Sequence, residues 1–249
     1  MNASNEPTNP NVPPLPTDAA SGPAPEPLPC DAPPGVILQT LLKRPAQLIA
    51  ALQQLASGRL ALFLAVFALL ALAAYGAVVG SFSGGQQWLA APLKVSLGAL
   101  VSTAICLPSL FIFSCLAGAE VTLRGIVGTL SAALALTALM LIGLAPVGWV
   151  FSQSTDSVVF MGAMHLVFWF ISLAFGFRLL RLLLDYLGVR KQFHLKMWLL
   201  IFVFVSLQMT TALRPLIGTS TDWLPKEKKF FAAYWIENLN QTEPSHSKE

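Results

Sequence analysis

The sequence predicts an all-α integral membrane protein: a bundle of five transmembrane helices, N-terminus inside and C-terminus outside, with short interfacial helices at both flanks. Two observations carry this. Between Arg59 and Arg214 the chain is a series of uncharged apolar stretches, five of which meet or approach the roughly 20 residues a spanning helix needs. Only 11% of the residues are charged, where a soluble domain carries about a quarter. Most of the 249 residues are therefore placed in the bilayer, and any function outside it must use tails and loops.

The first element, residues 1–35, is expected to be a disordered cytoplasmic tail. Eleven of the eighteen prolines fall there among Asn, Ser, Ala and Thr, a composition that buries too little apolar surface to offset ordering entropy. It lacks the basic and apolar regions of a signal peptide. Its Pro13-Pro14-Leu15-Pro16 run has the form of a polyproline ligand, although a flexible solvated tail is the preferred reading.

Residues 36–57 come next. After Pro45, Leu48, Ile49, Leu52 and Leu55 share one helical face, with Lys43 and Arg44 just upstream, so an interfacial amphipathic helix is expected.

The bundle occupies residues 58–219. Its expected crossings are Leu60–Gly80, Val95–Gly118, Gly125–Val150, Val158–Phe177 and Met197–Gly218. The last holds seventeen uncharged residues between Lys196 and Arg214, so Arg214 must snorkel to an interface. With the N-terminus inside, nine basic residues (Lys43, Arg44, Arg59, Arg124, Arg178, Arg181, Arg190, Lys191 and Lys196) lie inside, against six outside, as the positive-inside rule prefers. Trp88, Trp149 and Trp223 then fall near the outer headgroups and Trp198 near the inner ones, while Trp169 packs within the bundle. The final 220–249 form an outer tail with a short amphipathic helix, in which Phe231, Trp235 and Leu239 align.

Polar residues inside the spans are the candidates for chemistry, because a charged group at a helix centre costs ~2.5 to 3.5 kcal/mol on insertion scales. His165 is the only ionisable residue well inside an expected span, and it serves either a hydrogen bond to a neighbouring helix or a ligand or proton role. Ser206, Thr210 and Arg214 share a face of the fifth helix, with Gln208 and Thr211 on the adjoining one. A possible polar site thus comprises His165, Gln208, Thr211 and Arg214. Arg178 and Arg181 stripe with Asp185 and, with Arg190 and Lys191, form possible lipid-headgroup contacts. Glu120 and Arg124 have the spacing of a helix-surface ion pair. Gly76 and Gly80 make a GxxxG pattern for close packing, and Pro108 is expected to kink the second span.

The cysteines, Cys30, Cys106 and Cys115, make no disulfide framework, and no metal site or cofactor is expected. Zinc-protease, nucleophile-elbow, phosphate-loop and Cys-x-x-Cys patterns are absent. The chain is expected not to be an enzyme and not to bind nucleic acid. Its expected partners are the lipid bilayer and a membrane protein, a second copy included. Anchoring or organising other membrane components is the first functional expectation, and a small-solute transporter or channel is the alternative.

The segment Gln208-Met-Thr-Thr-Ala-Leu-Arg-Pro-Leu-Ile-Gly218, followed by Phe230-Phe231-Ala-Ala-Tyr234 through Asn238, resembles a group of uncharacterised bacterial multi-pass inner-membrane proteins. Leu107-Pro108-Ser109-Leu110 and Leu144-Ala145-Pro146-Val147 are similar to that group as well, and the likeness covers about residues 90 to 240. It implies a bacterial inner (plasma) membrane and brings no biochemical role. In topology alone the chain is also similar to Yip1-like five-pass proteins.

Overall fold

The computed structural model describes residues 32–53, 57–83, 87–118, 121–155, 157–186 and 192–212. The expectations for the N-terminal tail, for Glu120, Arg190, Lys191 and Arg214, and for the outer helix at Phe231, Trp235 and Leu239 lie outside these residues. The described chain consists of helices α1 (Pro34–Lys43), α2 (Pro45–Gln53), α3 (Ser57–Ser83), α4 (Gln87–Leu116), α5 (Leu123–Ser154), α6 (Val158–Tyr186) and α7 (Gln192–Ala212). No strand occurs among the described residues.

Four helices are long and apolar enough to cross a membrane, with candidate spans at Gly58–Phe82, Trp88–Leu116, Leu123–Ser154 and Val159–Asp185. They mark a multi-pass membrane protein. The apolar part of α7, Phe193–Met209, is shorter. Where the sequence predicts a polar turn from Ser81 to Gln87, α3 continues to Ser83 and α4 already begins at Gln87.

Local chemistry sets the helix limits. Proline at a first helical position gives up no intrahelical hydrogen bond, and Pro34 and Pro45 open α1 and α2 in this way. The residue before a proline is steered out of the α region, and Arg44 breaks the pair with φ −139° and ψ 62°. The segment expected as one amphipathic helix is thus two. Gly118, at φ +86°, ends α4 in the left-handed conformation that costs glycine least. Thr122 caps α5 by accepting a hydrogen bond from the Gly125 amide at 3.1 Å. Helix α4 runs continuously through Pro92 and Pro108, and α5 through Pro146.

In lipid there is no hydrophobic gain from pressing apolar helices together, so small residues and interhelical hydrogen bonds decide the packing. Helix α5 is the centre: half of its apolar window is buried, against 22% for α4. Its buried face is built of Gly128, Ala132, Ala133, Ala135 and Ala138. It packs chiefly on α3 and α6, while α3 also meets α4, and α4 meets α7. A side chain on Gly176 of α6 would collide with Thr137 and with the Ala133 carbonyl of α5, and one on Gly76 of α3 would lie 2.6 Å from Pro92 Cα of α4. The two backbones at each crossing are in direct contact.

The short helices are part of the core. Leu41 of α1 and Leu48 and Leu52 of α2 are buried in one cluster with Leu64 of α3, Ala132 of α5 and Leu179 and Leu183 of α6. Leu52 also lies against Gly128. All of these bundle residues are near the end where α3 and α5 begin and α6 finishes, here the near end. The far end holds the α3–α4 and α5–α6 connections.

Candidate functional site

Within the spans one polar contact is built where three helices, α3, α5 and α6, meet. Tyr75 of α3 and His165 of α6 are both buried, and Tyr75 Oη lies 2.7 Å from His165 Nδ1. With the tyrosine hydroxyl donating, the ring proton resides on Nε2, which is buried without a partner among the described residues. The imidazole is edge-on to Phe168, with centroids 6.1 Å apart and planes at 88°. Helix α5 admits the ring because it presents Gly148, where a Cβ would lie 3.2 Å from His165 Cε1 and 3.6 Å from Phe168. Seven residues into α6, His165 lies roughly 10 Å below the far end, at 1.5 Å per residue.

Ser172 lies two turns further along the same face of α6 and is also fully buried, its hydroxyl unpartnered among the described residues.

A second polar contact joins α4 to α7. Trp198 Nε1 donates to the Cys106 carbonyl at 2.9 Å, and the indole stacks on Phe202 with centroids 5.2 Å apart. At 2% exposure, Trp198 is buried in this seam between α4 and α7. Trp88 and Trp149, both near the far end, are more than half exposed. On the same pair of helices Ser102, Thr103 and Ser206 have buried hydroxyls with no partner among the described residues.

Comparisons with protein-family models, with curated proteins and with solved structures find no match. The reading of the site therefore rests on its geometry.

Of the intramembrane candidates, His165 faces α3 and α5, whereas Gln208 is a half-buried residue near the end of α7, the helix that lies along α4. The two belong to different seams. Thr211 lies in the last turn of α7, and Arg214 is outside the described residues. Arg178 and Arg181 are exposed on α6, and Arg181 Nε lies 3.9 Å from Asp185 Oδ2.

Sequence reasoning missed Tyr75, Gly148 and the Cys106 carbonyl. One signal was available for the first: among the three tyrosines, Tyr75 alone sits within an apolar stretch, where a phenol needs a partner.

Chemically, the Tyr75–His165 pair is hydrogen-bonding machinery. It fixes α3 against α6 across α5 and leaves one imidazole nitrogen for a further hydrogen bond.

Proposed function

We propose that the chain is a non-enzymatic multi-pass protein that anchors or organises other membrane components, in a bacterial inner membrane, with its N-terminus cytoplasmic, its C-terminus outside and α7 as a fifth crossing. The observation that carries this reading is how the polar groups inside the spans are used. His165 is bonded to Tyr75, Trp198 to the Cys106 carbonyl, and Ser114, Thr129 and Thr137 to carbonyls of their own helices. The first two bonds tie helices together and the last three satisfy hydroxyls within their own helix, a use of polar groups that suits a scaffold. The partner is a membrane protein, a second copy included, and the N-terminal tail is the segment that recruits it.

Crosslinking of the tagged chain in native membranes, followed by mass spectrometry, tests this against a form lacking residues 1–34. A specific partner captured by the full chain and lost with the tail is expected. Equal capture by both forms contradicts recruitment by the tail.

The unpartnered hydroxyls of Ser102, Thr103 and Ser206 favour a second reading, a small-solute transporter or channel whose polar wall continues through Gln208 and Thr211 to Arg214. In that case, reconstituted protein conducts a solute, and Gln208→Ala with Arg214→Gln abolishes the flux.

A further inference from the structure

We propose that the near end of the bundle is a binding rim for anionic phospholipid headgroups, assembled from several helices and from the α1–α2 break. Lys43, Arg44, Arg59, Arg124, Arg178 and Lys196 are all exposed and all belong to this end. They come from α1 and the break after it, α3, α5, α6 and α7. Arg181 is a seventh cation, and its neighbour Asp185 is the single carboxylate among the described residues. The far end differs: its one cation among the described residues is Lys94, which is buried.

Charge alone would suit any anion, but the surroundings of these cations select an amphiphile. Almost every one adjoins an exposed apolar side chain: Leu42 beside Lys43, Leu62 one turn from Arg59, Leu123 beside Arg124, Leu182 beside Arg181 and Phe193 one turn before Lys196. A phospholipid places a phosphate and an acyl chain at that same spacing, and a lysine or arginine at the edge of an apolar belt reaches the headgroup layer with its stem in hydrocarbon. A soluble acidic protein would instead need a polar patch clear of the belt. The α1–α2 pair fixes the geometry, because Leu41, Leu48 and Leu52 are locked into the core. Lys43 and Arg44 are thereby held over the same end as Arg178. This rim is independent of the anchoring role, and either proposal can fail without the other.

The test is native mass spectrometry of the full chain in mild detergent, supplied with equal amounts of phosphatidylcholine and phosphatidylglycerol of matched acyl chains. Preferential retention of phosphatidylglycerol is expected. Each of Lys43→Gln, Arg44→Gln and Arg178→Gln should lower that preference by about fivefold, and added salt should weaken it. Gln153→Ala, an exposed substitution at the far end of α5, should leave it unchanged. Thermal unfolding in zwitterionic detergent checks that these exposed substitutions leave the fold intact. Equal retention of the two lipids by the unaltered chain overturns the proposal. So does a preference that survives loss of all three cations, or one that needs the cations only for a co-purified acidic protein.

Discussion

At the scale of single residues, the bond between Tyr75 and His165 is a buried contact between side chains 90 positions apart, with no described group placed to replace it. Interhelical hydrogen bonds in membranes contribute about 0.6 kcal/mol on average and ~1.7 at most. Tyr75→Phe removes the hydroxyl and strands Nδ1, and His165→Leu removes the ring. In a double-mutant cycle read by unfolding in micelles, the two should couple by about 1 kcal/mol; a coupling indistinguishable from zero contradicts a structural role for the bond. Trp198→Phe keeps the stack on Phe202 but leaves the Cys106 carbonyl without the indole donor. A loss of about 1 kcal/mol in the same measurement is expected. His165 was legible in the sequence because an ionisable residue stands out in an apolar run. Its partner was not, because no spacing along the chain connects α3 to α6.

At the scale of helices, glycines set how closely neighbours approach. Gly176 of α6 and Gly143 of α5 are both helical, yet a Cβ on Gly176 would run into the Ala133 carbonyl at 2.8 Å, whereas nothing lies within 4 Å of one on Gly143. Gly176→Ala should therefore destabilise by about 1–3 kcal/mol through forced separation of α5 and α6. Gly143→Ala should be neutral or slightly stabilising, since alanine is the better helix former by up to about 1 kcal/mol. Thermal unfolding of the two variants side by side checks the contrast; equal effects contradict the close crossing. The four long helices were legible from apolar length alone. Their limits were less so, because the serines after Gly80 read as a turn although α3 carries on through Ser83, and Pro33-Pro34 read as tail although Pro34 starts α1. Prolines mark helix starts as readily as irregular chain, and composition does not separate the two.

At the scale of the whole molecule, the order of helices around α5 was beyond sequence reasoning. Each long helix is apolar on every side, so hydrophobic patterning does not say which side meets protein and which meets lipid. The docking of α2 against α3, α5 and α6 was likewise hidden, because a face suited to a membrane surface is equally suited to a protein core. Leu48 is fully buried at that junction. Leu48→Ala should cost about 2–5 kcal/mol, seen as a lower melting temperature, while Leu42→Ala on the exposed side of α1 should change it little. The same junction has a consequence in time. Leu179 and Leu183, which complete the pocket of Leu41, Leu48 and Leu52, are made roughly 130 residues after them. At ~5–20 residues per second that is a wait on the order of ten seconds. Helices α1 and α2 can settle on α3 and α5 as these appear, but their pocket closes only once α6 has been made, so this junction is completed late in the assembly of the bundle.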